Sequence, residues 1–153
     1  MAEHYAYGPR VALTPRYIDA PYEVSGIDLN VDGDSALFNI PFKCQVVYAG
    51  CIVTTIVASD TALVDFDKRP TAGDDGSRTV ASLGHIAIPA GNLGKCYYDR
   101  VAAGVAAGIL SPGDEVVVQV MNSDPGAGNA QPILVVDMLP ETMANLTDMV
   151  ETA

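Results

Sequence analysis

CQVVYAGCIVTTIV, Cys44–Val57, is the longest apolar run of the chain, and eight of its fourteen residues are Val, Ile or Thr. Side chains branched at Cβ are stiff and pack well on a pleated surface, so the run reads as a long β-strand. Gly50, in its middle, is expected to mark a bulge. Shorter runs of the same kind lie on both sides. Upstream, Ile27, Leu29 and Val31 alternate with Asp28 and Asn30, and Asp32-Gly33 reads as a hairpin turn leading into ALFNI (Ala36–Ile40). Downstream, ALVDF sets Val64 and Phe66 on one face and Asp65 and Asp67 on the other. TVASLGHIAIP (Thr79–Pro89), KCYYDRV (Lys95–Val101), EVVVQVM (Glu115–Met121) and PILVVDML (Pro132–Leu139) follow.

The segments between these runs, DKRPTAGDDGS, PAGNLG, SPGD and NSDPGAGN, are rich in the residues that turns require. Eight or so short strands so punctuated predict an all-β fold, an antiparallel β-sandwich or β-barrel of jelly-roll or tulip type. VAAGVAAGILS (Val101–Ser111) departs from the pattern and is expected to be a short helical turn or a loop, since Gly104 and Gly108 weaken a helix. The expected organisation is an extended N-terminal arm over 1–22, a β domain over 23–139 and a short tail over 140–153. In the tail, Met143, Leu146 and Val150 recur at helical spacing.

The chain has 153 residues, a length that favours one domain, and its 49% apolar content excludes disorder throughout. No run of eighteen apolar residues occurs, so no membrane partner is expected. The first ten residues, MAEHYAYGPR, carry an acid and no apolar block, which argues against a secretory signal. Nineteen acids against eight bases give a net charge of −11, and no Lys or Arg follows Arg100. Such a charge repels phosphates, so no nucleic-acid partner is expected. Cys44, Cys51 and Cys96 have no CxxC spacing and lie in apolar runs, where reduced, buried thiols are expected.

The arm holds Tyr5, Tyr7, Pro9, Arg10, Pro15, Arg16, Tyr17 and Tyr22. Its prolines favour extended chain, and tyrosines offer contact area with a polar tip. These eight residues are the candidate partner-binding set; the segment reads either as an arm reaching a neighbour or as a strap over its own domain. Catalytic patterns such as GxSxG, HExxH and a P-loop do not occur, and two histidines, His4 and His85, are too few for a three-histidine metal cage. No catalytic residue, cofactor or enzymatic activity is therefore expected. Asp28, Asn30 and Asp32 match the D-x-N-x-D-G opening of a calcium loop, but the twelfth position is Asn39 in place of a bidentate Glu. The turn is the simpler explanation, with a weak calcium site as the alternative.

LVDFDKRPTAG (Leu63–Gly73), GKCYYDRV (Gly94–Val101) and SPGDEVVVQV (Ser111–Val120) together resemble the small structural proteins encoded beside capsid genes in tailed bacteriophages, the head decoration or cement proteins. The resemblance covers about half the chain and rests on its β-rich style, its Gly/Pro turns and the terminal segment. It implies a β-sandwich or β-tulip domain, often a homotrimer, that binds the major capsid protein on the outside of the virion after synthesis in the host cytoplasm. It carries over no catalytic residue. The alternatives are a carbohydrate-binding or host-attachment module, for which Tyr97-Tyr98 would be the aromatic platform, and another head or tail assembly protein.

Overall fold

The computed structural model describes residues 9–18, 26–69, 81–91, 93–101, 108–121 and 125–139. Among them lie eleven strands: β1 (Arg10–Leu13), β2 (Arg16–Tyr17), β3 (Ile27–Asp28), β4 (Gly33–Asn39), β5 (Cys44–Thr55), β6 (Ala62–Arg69), β7 (Ala81–Ile88), β8 (Cys96–Arg100), β9 (Ile109–Leu110), β10 (Glu115–Val120) and β11 (Asn129–Met138). One sheet runs β1-β11-β5-β8, with β3 also on β11 and β9 also on β5; the other runs β2-β4-β10-β6-β7. Every pairing is antiparallel. The orders β3-β11-β5-β8 and β4-β10-β6-β7, with the chain crossing between sheets at most connections, make the all-β fold a jelly-roll sandwich.

The core lies between the sheets and draws alternate residues from each strand. Cys44, Val46, Ala49, Cys51 and Val53 of β5 meet Val64 and Phe66 of β6 and Val116, Val118 and Val120 of β10. Phe38 and Phe66 stack at 6.2 Å between ring centroids. Burying a side chain of this size stabilises the fold by roughly 1.5–3 kcal/mol. At one side the sheets meet directly, where the backbone N–H of His85 on β7 donates to Asp99 Oδ2 on β8 at 2.8 Å. A Cβ added to Gly84 would lie 3.3 Å from the Ala49 Cβ, which shows how closely β7 approaches β5 there.

Several expectations are corrected. The turn falls at Asp28–Val31, closed by the Val31 N–H on the Asp28 carbonyl at 3.4 Å, and not at Asp32-Gly33, where Gly33, at φ +118°, already begins β4. The connection leads from β3 in one sheet to β4 in the other, so it is a crossover and not a hairpin. Val31, expected on the apolar face with Ile27 and Leu29, is 58% exposed, because the alternation ends with β3 and the chain turns at Leu29–Asn30. The bulges of β5 fall at Val47 and Thr54, where the register against β11 slips, and not at Gly50. Gly50 serves close approach instead: a Cβ there would come within 2.7 Å of the Tyr97 carbonyl oxygen and the Tyr98 Cβ. Ile109–Leu110 of the expected turn or loop are a strand on β5. Cys44 and Cys51 are buried, but Cys96 is exposed.

The described part of the expected arm, residues 9–18, is paired on its own domain. Arg10–Leu13 lie antiparallel to Leu134–Asp137, and Arg16 and Tyr17 pair with Leu37 and Ala36 of the opposite sheet. Val11, Leu13 and Tyr17 pack against the core. Thr14-Pro15 carries the chain from one sheet to the other. This part of the segment is therefore a strap, held because its alternate apolar residues complete the edge of the sandwich. The expected tail over 140–153 lies outside the described residues.

Candidate functional site

Outward positions on the β1-β11-β5-β8 sheet form rows that follow from the register. Tyr48 stands between Val135 on β11 and Arg100 on β8; Gly50 stands between Ile133 and Tyr98; Ile52 stands between Gln131 and Cys96. The centre of this outer face is apolar. Because Gly50 has no side chain, a hollow of about 260 Å³ opens between the two flanking strands, lined by Tyr48, Cys96, Tyr98, Ile133 and Val135. Tyr98, 55% exposed, packs edge-on against Tyr48 at 5.4 Å, and the two rings make a ridge along one side of the hollow.

Cations flank the ridge. The Arg100 guanidinium lies 5.5 Å from the Tyr48 ring centroid, and that of Arg10 lies 6.0 Å from it. Arg10 also forms a forked ion pair with Asp137, Nε to Oδ1 at 2.9 Å and Nη2 to Oδ2 at 3.2 Å. Asp137 holds the Arg10 pKa above its ordinary value by hydrogen bonding and charge. Arg10 and Arg100, against Asp137 and, on β3, Asp28, are the charged outward side chains of this sheet, so this face is close to neutral in a chain of charge −11. Tyrosine, arginine and aliphatic side chains around a hollow are the composition of a protein contact surface.

The outer face of the other sheet is different. Asp65 and Asp67 of β6 project there, beside His85 and Ser82 of β7. The Ser82 hydroxyl donates to Asp65 Oδ1 at 3.3 Å, and His85 Nδ1 lies 3.4 Å from the same oxygen. Arg69 pairs bidentately with Asp34 of β4 at 3.1 and 3.2 Å. Asp67 is only 8% exposed. Burial, then a hydrogen bond and charge from Asp65, raise its pKa to about 6. Two carboxyls this close share a proton more readily than both ionise. Among the described residues, no three His, Cys, Asp or Glu side chains converge as a metal site requires.

Of the expected partner-binding residues, Tyr5, Tyr7 and Tyr22 lie outside the described residues. Pro9 accepts a hydrogen bond from the Met138 N–H, Arg10 reaches the aromatic ridge, and Tyr17 packs inward on the core. Pro15 is in the crossing and Arg16 is exposed on β2. The Asp28 carboxylate accepts from the Asn30 N–H at 2.9 Å, and Asn30 Oδ1 accepts from the Gly126 N–H at 3.1 Å. Those oxygens tie the turn to the loop before β11, while Asp32 stays at the surface. Tyr97 and Tyr98 point to opposite faces, Tyr97 against the core, so they form no joint platform. The aromatic pair is Tyr48 with Tyr98, formed across two strands 50 residues apart in sequence, a partnership that only the β5–β8 register reveals.

Fold and site together define an antiparallel jelly-roll domain whose outer face has an apolar, arginine-flanked hollow. Compared with family models, with curated proteins and with solved structures, the chain finds no match.

Proposed function

We propose that the chain is a non-enzymatic structural protein that self-associates and binds the outer surface of a bacteriophage capsid, which it stabilises. The observation that carries this reading is the outer face of the β1-β11-β5-β8 sheet, where Tyr48, Tyr98, Ile133 and Val135 enclose a hollow and Arg10 and Arg100 flank it. Surface of this kind is stabilised by being covered with protein. The resemblance of Leu63–Gly73, Gly94–Val101 and Ser111–Val120 to decoration proteins supplies the shell, with the major capsid protein as partner. The chain's acidity fits a position outside a DNA-filled shell, because a surface of that charge is repelled by phosphates. Many identical contacts on a lattice add up, so each one need not be strong.

Mixing the purified protein with undecorated capsids tests the reading. A rupture temperature that rises and saturates with bound copies supports it, since a partner that binds only the assembled shell stabilises it by mass action. Failure to bind any shell, together with specific glycan binding that Tyr48→Ala and Tyr98→Ala abolish, assigns the chain to host attachment instead.

A further inference from the structure

On the reading that the β1-β11-β5-β8 face is a protein contact surface, we propose that its occupant is a second copy of this chain, paired face to face about a two-fold axis along β5. The Tyr98 ring on β8 and the hollow toward Ile133 on β11 lie side by side across the strands, in the row of Gly50. A two-fold contact demands a surface that complements itself, and a ridge next to a groove does so. An axis along β5 lays β8 of each copy over β11 of the other. Tyr98 then enters the hollow beside Ile133 of the second copy, and the reciprocal contact forms at the same time.

Charge selects the same arrangement. Arg100 sits on β8 at the row of Val135, and Asp137 is the next outward residue of β11. Facing β8 with β11 brings Arg100 of each copy to Asp137 of the other, so the contact gains two opposite-charge pairs. Copies of a chain with net charge −11 repel one another, and they approach most readily where the surface is close to neutral and carries both signs of charge. The outer face of the opposite sheet carries Asp34, Asp65, Asp67 and Glu115 against Arg16 and Arg69, and is a poorer place for two copies to meet. Aligned packing of two twisted sheets, about 30° apart, accommodates the contact. A two-fold contact yields pairs, in place of the three-fold ring that the family resemblance implies.

Sedimentation equilibrium of the full chain without capsids, at tens of micromolar, tests the proposal. The expected result is a dimer for the wild type. Tyr98→Asp and Arg100→Glu are expected to weaken pairing by about thirtyfold or more, the scale typical of substitutions at the centre of an interface. His85→Ala, on the opposite sheet, should pair as the wild type does. Circular dichroism confirms that each variant keeps its β signal, and Tyr98→Phe, which keeps the ring, should pair as the wild type does even where Tyr98→Asp fails to fold. A wild-type monomer, a three-copy mass, or a dimer that survives both Tyr98→Asp and Arg100→Glu overturns the proposal. A monomer that nevertheless saturates capsids overturns the pairing and leaves the shell reading in place. A dimer of the expected behaviour that binds no shell does the reverse.

Discussion

Replacing Asp67 by Asn should stabilise the protein at neutral pH and remove part of its pH dependence. Asp67 lies on the outer face of β6, yet it is 8% exposed and shares a hydrogen bond with Asp65. Its pKa in the fold is about 6, against an ordinary 3.8. The folded chain therefore holds this proton more tightly than the unfolded chain. Below about pH 3 both states are protonated and the fold bears no penalty. As the pH rises toward 6, the unfolded state ionises freely while the folded state resists, so stability falls; above that it stays low. A shift of about two units corresponds to at most about 3 kcal/mol. Solvent reaching the carboxyl pair from the open side, and the nearby Arg69, reduce this to about 1–2 kcal/mol.

An Asn side chain has the same shape, cannot ionise, and donates to the Asp65 carboxylate. Urea unfolding of wild type and Asp67→Asn between pH 3 and 8 measures the difference. The variant should gain about 1–2 kcal/mol at pH 7.5, or about 3–6 °C in Tm, a smaller part of that at pH 4.5, and almost nothing at pH 3. His85, Asp34, Arg69, Ser82 and Glu115 also face or border this cluster and remain in both proteins, so their contributions cancel in the comparison. Equal gains at pH 3 and pH 7.5, or a loss at pH 7.5, would refute the assignment of the strain to ionised Asp67.

Other expectations concern the core, the hollow and the thiols. Phe66→Ala removes a fully buried ring stacked on Phe38, and should lower unfolding free energy by about 3–5 kcal/mol in urea titrations. Gly50→Ala places a Cβ within 2.7 Å of β8, which must shift; a cost of roughly 1–3 kcal/mol is expected, with faster amide exchange confined to Cys96–Arg100 and its β5 partners. A thiol reagent at neutral pH should modify Cys96 in the native protein, and Cys44 and Cys51 only after unfolding. Burial pushes the Cys44 thiol up to about 12 and raises those of Cys51 and Cys96 as well, but Cys96 is exposed at the rim of the hollow, where a reagent reaches it. Native mass spectrometry that finds Cys44 or Cys51 labelled first would contradict this.

The strands were legible in the sequence because their apolar residues recur with the period of a pleated sheet. Val64 and Phe66 are buried and Asp65 projects outward, as ALVDF implies, and His85 lies opposite Ile86 and Ile88. Sheet membership was not legible. A short turn such as Asp28–Val31 has the same local chemistry whether the next strand pairs with the last one or crosses to the other sheet. The bulges at Val47 and Thr54 arise from tertiary register, and neither residue differs in type from its neighbours. Pro9, Pro15 and the tyrosines announced extended chain, but not that Val11, Leu13 and Tyr17 find the edge of their own core. The contact face was hidden for a related reason. Tyr48, Tyr98 and Ile133 come from three strands, and only their register around Gly50 turns three ordinary strand residues into a ridge and a hollow.

On this reading the chain acts by contact on a shell, as copies joined through the outer face of β1, β11, β5 and β8. Titrating wild type and Tyr98→Asp onto undecorated tailed-phage capsids, with bound copies and rupture temperature recorded together, tests it most directly. Wild type should saturate the shell and raise its rupture temperature. The variant, folded but unable to pair, should bind more weakly, because two linked contacts on a lattice outlast one. A wild-type protein that leaves the rupture temperature unchanged at every concentration, or a variant that decorates and stabilises shells as well as wild type does, would contradict the account.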